Sequence, residues 1–115
     1  MTYILNTEIP DTEPLNTALT RVFGIGKNKS SKICSHLGID QNTPLKFLTL
    51  EMRNKMIIYI ENNVIIGDDL KQNLQQAREH QIRLKTYKGL RRKFKLPLRG
   101  QRTHTNAKTI KKRIY

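Results

Sequence analysis

Apolar residues recur at helical spacing along the first two thirds of the chain and thin out beyond it. Leu15, Ala18, Leu19 and Val22 stand at i, i+3, i+4 and i+7, one face of an amphipathic helix. Thr12-Glu13-Pro14 reads as its start, because Pro is tolerated in a first turn and Glu13 sits near the positive end of the helix dipole. The helix stops before Gly24, and Gly24-Ile25-Gly26 makes a tight turn. Asn28 or Ser30 can cap a second short helix, which carries Ile33 and Leu37 inward and ends at Gly38. Asn42-Thr43-Pro44 breaks the chain, and Leu45, Phe47 and Leu48 form a brief apolar turn. Thr49 can cap a third helix with Met52, Met56, Tyr59 and Ile60 on one face, fraying at Asn62-Asn63. Val64-Ile65-Ile66 runs extended into Gly67. Asp68 is an N-cap candidate for a long helix, with Asp69 complementing its dipole. Leu70, Leu74, Ala77, Gln81 and Leu84 give that helix a narrow, half-polar seam. No strand pattern stands out, so the expected fold is all-α: a small helical body over 1–66, a long helix over 67–85 and an extended basic tail over 86–115.

Charge changes this picture more than composition does. Residues 1–80 hold nine Lys/Arg and nine Asp/Glu, whereas residues 81–115 hold thirteen Lys/Arg and no acid, which accounts for the entire net charge of +13. A block so dense in one sign repels itself and is expected to order only on a polyanion. A membrane surface would call for an amphipathic helix with a broad apolar face, which Gly89, Pro97 and Gly100 oppose. The longest apolar run, Val64-Ile65-Ile66, is far too short to span a bilayer. Nucleic acid is therefore the expected partner. RNA is favoured over DNA, because an irregular arm suits the crevices of a folded RNA better than a regular groove. Arg supplies planar forks for phosphate, Gly allows close backbone approach, and Gln101, Thr103, Thr105 and Asn106 can bond to sugars, phosphates or base edges.

Two other sets of residues invite chemistry. Phe23-Gly24-Ile25-Gly26-Lys27-Asn28-Lys29-Ser30 has the apolar-Gly-apolar-Gly pattern of a helix-hairpin-helix. Its backbone N–H groups, with Lys27, Lys29 and Lys32, could meet a phosphate. The plainer reading is a compact helix–helix turn. It is not a P-loop, since Asn28 follows Lys27 and Arg21 stands where the first Gly is required. Cys34, His36, His80 and His104 are too scattered for a metal site or a nucleophilic triad, so no metal, cofactor or catalytic residue is assigned. The single cysteine excludes an intrachain disulfide. The alternative function to RNA anchoring is a DNA-binding module built on the hairpin.

At Leu96-Pro97-Leu98-Arg99-Gly100-Gln101-Arg102-Thr103-His104-Thr105-Asn106-Ala107-Lys108 the chain resembles the small ribosomal subunit protein thirteen family, whose signature is Leu-Pro-Val-Arg-Gly-Gln-Arg-Thr-x-Thr-Asn-Ala-Arg. The resemblance extends to Ile9-Pro10, Leu19 through Lys32, Leu37-Gly38-Ile39, Gly67-Asp68-Asp69-Leu70 and Tyr87-Lys88-Gly89-Leu90-Arg91. It implies a helix-two-turn-helix body, a long helix and a basic tail in a non-enzymatic component of the small-subunit head. It implies rRNA binding by Arg91, Arg99, Gly100, Gln101, Arg102, Thr103, Asn106 and Lys108, to which the charge of the arm and the hairpin add Lys27, Lys29, Lys88, Gly89, Arg92, Lys93 and Thr105 as expected rRNA contacts. It further implies small-subunit protein nineteen as a neighbour, a bridge to large-subunit protein five, and approach to the P-site tRNA by a tail that here carries Lys111, Lys112 and Arg113. The chain departs from the family in places. Arg92 stands for the usual His, Lys95 for the usual Gly, and Lys85-Thr86 where Gly-Cys often precedes the Tyr. The family pattern starts within about ten residues of Met1, leaving no room for a presequence. Ile, Asn and Lys make up 35 of 115 residues. Both features point to an organelle-encoded mitochondrial protein, with the bacterial cytoplasm as the alternative.

Overall fold

In the computed structural model, residues 2–112 are described. They form two compact units, one running up to Lys71 and the other from Gln72 onward.

The first unit opens with a two-stranded antiparallel hairpin that the sequence pattern does not announce. Strands β1 (Thr2–Ile4) and β2 (Thr7–Ile9) pair Thr2 with Ile9, Tyr3 with Glu8 and Ile4 with Thr7. Leu5 and Asn6 turn between them with φ of 50° and 61°, the left-handed pair a tight hairpin requires. Ile4 and Ile9 are buried while Tyr3 and Glu8 face solvent, so the alternation exists but spans only three residues per strand. The expectation of an all-α fold is corrected accordingly to a mostly helical one.

Helix α1 is shorter than its apolar stripe. It spans Leu15–Leu19, and Thr20, Arg21 and Val22 continue as tighter turns that donate to Thr17, Ala18 and Leu19. These turns keep Val22 on the buried face with Leu15, Ala18 and Leu19. Pro14 precedes the helix without a side-chain cap, and the free N–H groups of Leu15 and Asn16 donate to Thr43 O and Gln41 O at 3.0 and 3.2 Å. Glu13 accepts from Arg21 Nε at 2.9 Å instead of serving the dipole.

Helix α2 (Lys27–Leu37) begins at Gly26, not at an Asn28 or Ser30 cap, and ends on left-handed Gly38. Ser30 is buried, its hydroxyl donating to Asn16 O at 2.9 Å. Gly24 is a position of real constraint: φ is +108°, and a Cβ there would lie 2.8 Å from Leu70 Cδ2 and 3.2 Å from Ile65 O. A 3₁₀ turn (Leu45–Phe47) leads to α3 (Leu50–Asn63), which Thr49 caps by accepting from Met52 N. Met56 and Ile60 are fully buried; Met52 is largely exposed, and Tyr59 stacks on His36 at 4.5 Å between ring centroids. The apolar core, from Ile4 to Ile60, lies entirely in this unit.

Helix α4 (Gly67–Arg83) starts before Asp68, which sits in the first turn and accepts from Lys71 Nζ at 3.0 Å. In the second unit its expected seam holds only at Gln81. Leu74, Ala77 and Leu84 are exposed, whereas Gln75, Arg78, Glu79, Gln81 and Ile82 are partly covered. The cause is α5 (Tyr87–Lys93), a helix in a segment expected to be extended. Gly89 of α5 packs so closely on α4 that a Cβ would lie 2.1 Å from Gln81 O. Thr86 fixes the turn between them, accepting from Gly89 N and donating to Gln81 O, both at 3.1 Å.

Both helices end on a left-handed lysine. Lys85 N donates to Ile82 O, and beyond α5 Lys95 N and Leu96 N donate to Arg92 O and Arg91 O, the paired bonds of a Schellman motif. Lys85 and Lys95 each sit at φ 54°, where a side chain costs roughly 1 kcal/mol that glycine would not. Gly100, Thr105 and Ala107 add further left-handed bends before α6 (Lys108–Lys112). The arm curls instead of running extended.

Two outcomes are expected. Gly89→Ala forces the α4–α5 contact apart at a cost of about 2 kcal/mol, read as lost helicity and faster proteolytic cleavage between residues 84 and 96. The Arg21 guanidinium holds the Glu13 carboxyl below its ordinary pKa. The pair therefore stabilises the fold fully above the usual carboxylate range and is lost as pH falls through the lowered value. Wild type should lose thermal stability below about pH 4 more steeply than Arg21→Gln; equal acid sensitivity would show that the pair contributes nothing.

Candidate nucleic-acid interface

The second unit concentrates the charge of the chain. From Gln72 onward there are fourteen Lys/Arg and one acid, Glu79. Glu79 is engaged along its own helix, accepting from Gln75 Nε2 at 3.0 Å and pairing with Arg83 at 3.9 Å.

A cleft of about 670 Å³ gathers part of that charge. Arg78 of α4, Arg92 of α5, Arg99 and Arg102 of the loop and Lys108 of α6 line it, with Gln101 and Asn106. Pro97, Leu98, Ala107 and Ile110 form its apolar wall, and among the described residues no carboxylate side chain lines it. Arg91 braces this loop, its Nε donating to Pro97 O at 3.0 Å, and Pro97 is buried. Two amides among five cations can accept and donate to hydroxyls and bases while the guanidinium groups take phosphate oxygens in pairs. Such a wall suits an anion that also carries hydrogen-bonding groups.

Of the residues singled out from sequence, Arg92, Arg99, Gln101, Arg102, Asn106 and Lys108 come together on this cleft. Arg78 was missed, since it stands in a charge-balanced stretch. Its signal is helical spacing, which puts it on one face with Gln75 and Ile82. Lys88, Arg91 and Lys93 lie on α5, and Lys111 and Lys112 on α6, outside the lining. Gly89 is buried against α4, where it serves packing. Gly100, Thr103 and Thr105 are exposed, and the Thr105 hydroxyl donates to His104 O at 2.7 Å. Lys27 and Lys29 belong to the first unit, at the start of α2, where Lys29 Nζ donates to Gly24 O at 3.1 Å. Arg113 lies outside the described residues.

The residues with catalytic potential are spread out. Cys34 is buried, and burial pushes its thiol pKa up, away from the reactive thiolate. Among the described residues no three His, Cys, Asp or Glu side chains group as a metal site, and no helix is long and apolar enough to cross a membrane.

The sequence model described as Ribosomal protein S13/S18 matches residues 3–109. The chain belongs to this family. It is 38 % identical over 115 residues to small ribosomal subunit protein uS13m of Marchantia polymorpha, covering 100 % of this chain and 96 % of that protein. Protein uS13m of Daucus carota is 37 % identical over 114 residues, 99 % of this chain and 98 % of its own length. Protein uS13 of Neorickettsia sennetsu is 37 % identical over 110 residues, 96 % and 89 % of the two chains. The chain is thus a structural ribosomal protein and not an enzyme. The matched region takes in all the lining residues of the cleft except Ile110.

The burial of Cys34 gives a direct check on the first unit. Its thiol should react with a water-soluble disulfide reagent at least about tenfold more slowly in the native chain than in denaturant. Equal rates would mean that this core does not form.

Proposed function

We propose that the chain anchors itself in the head of the small ribosomal subunit by binding small-subunit rRNA through its C-terminal unit. The observation that carries this reading is the cleft where Arg78, Arg92, Arg99, Arg102 and Lys108 converge with Gln101 and Asn106 and, among the described residues, no acidic side chain. Arg99, Arg102 and Lys108 stand together on one wall, so a phosphate chain is a complement that relieves their mutual repulsion. The irregular, left-handed bends between Gly100 and Ala107 match a folded RNA better than the uniform groove of DNA. The membership of the chain in its family supports the same partner.

In this reading the chain is organised as a body over 1–66, a connecting helix over 67–85 and an rRNA-binding tail over 86–115. Lys27 and Lys29 give a subsidiary rRNA contact at the start of α2. Lys88, Arg91, Lys93, Gly100, Thr103 and Thr105 extend the contact beyond the cleft. Small-subunit protein nineteen is the neighbour, large-subunit protein five the partner in an intersubunit bridge, and Lys111, Lys112 and Arg113 point the tail toward P-site tRNA. The ribosome is that of the mitochondrion, with the protein encoded in the organelle. The uS13m relatives support the mitochondrial ribosome, while a bacterial cytoplasmic ribosome is the alternative that the Neorickettsia protein keeps in play.

The full-length variant R99Q/R102Q/K108Q tests the assignment. Against cognate small-subunit rRNA, its plot of log affinity on log salt should be shallower than wild type by about 2–3, and the variant should leave the small-subunit peak in gradient sedimentation. An unchanged slope would sink the cleft. Tighter binding to duplex DNA than to rRNA would favour the hairpin at Gly24-Ile25-Gly26 instead.

A further inference from the structure

We propose that Lys85 and Lys95 are phosphate-contact residues that hold an unpaired stretch of bound RNA across the two ends of α5, a role that rests on the rRNA binding proposed above. Both lysines occupy the left-handed position that closes a helix, each at φ 54°. Glycine fills that position without strain, so a lysine is retained there against the backbone preference. Nothing within the chain repays it. Both side chains are exposed, and neither has a hydrogen-bond or ion-pair partner among the described residues.

Each lysine also has an exposed ring close by in sequence. Tyr87 is 70 % exposed and Phe94 65 %. Between residues 85 and 95 there are six cations and no acid. Rings left in water beside two exposed lysines suit a partner that offers a flat base and a phosphate together, as unpaired RNA does. An apolar protein surface would cover the rings but leave the lysines unpaired. Helix α5 is about 10 Å long, which is the rise of roughly three stacked nucleotides. One nucleotide at each end would place a base on Tyr87 or Phe94 and a phosphate on Lys85 or Lys95.

The full-length variant K85G/K95G removes both charges at positions where glycine is conformationally preferred, so its helical content by circular dichroism should stay level or rise. Its log affinity for cognate small-subunit rRNA should fall less steeply with log salt, the slope being shallower than wild type by about 1.5. Lys55→Gln, which removes an exposed charge from α3, should leave the slope unchanged. A wild-type slope in K85G/K95G overturns the proposal, as does an equal flattening in K55Q. Failure of the underlying reading looks different: wild type then shows no salt-dependent rRNA binding, or R99Q/R102Q/K108Q binds as wild type does.

Discussion

From Gln72 onward the chain has to hold fourteen cations together with one carboxylate and no apolar core. Coulomb repulsion pushes such a segment open, and hydrophobic burial, the usual counterweight, is nearly missing: among its described residues only Gly89 and Pro97 are buried. What opposes the repulsion is backbone geometry. Gly89 lets α5 lie directly on the peptide groups of α4, Thr86 bonds to both helices, and Arg91 spends part of its guanidinium on Pro97 O. Each of these contacts uses a neutral backbone partner, so cations are positioned without being neutralised. The loop that carries Arg99 and Arg102 is tied down in this way.

The first unit solves the opposite problem. Its eight cations and eight acids up to Lys71 cancel, and its core runs from the hairpin through α3. Stability there comes from burial, with the Glu13–Arg21 pair and other exposed ion pairs adding little. The apolar core and the net positive charge therefore reside in different parts of the chain.

What could be read from sequence was local. The Thr49 cap, the left-handed Gly38 and the buried stripe Leu15, Ala18, Leu19 and Val22 depend on neighbours within one or two turns, and each is present. The stripe survived even though α1 ends at Leu19, because 3₁₀-like turns keep the same face inward. The hairpin was hidden since three-residue strands are too short for alternation to register, and Leu5-Asn6 lacks the glycine that marks a tight turn. The seam of α4 was misread for a non-local reason: the side on which Gly89 lands decides which residues are covered, and neither helix encodes that alone. The cleft was legible from Arg92 to Lys108, where charge stands without acid. Arg78 was not, because its counter-charges are near it in sequence but its place is set by packing.

The two lysines at left-handed caps meet both constraints, strain in the backbone and excess positive charge. In a unit stabilised by burial, a strained cap would be a small debit against a large favourable term. Here the favourable terms are a few backbone hydrogen bonds, so the same strain is a sizeable fraction of what holds α4 and α5 together. A unit can carry it only if folding need not be complete before the partner arrives. Phosphate that relieves the repulsion among the cations also closes the gap left by the caps, since ion release and ordering occur in one step. Charge at Lys85 and Lys95 thus weakens the free unit and strengthens the bound one. That is the balance expected of a segment whose final structure is shared with its ligand.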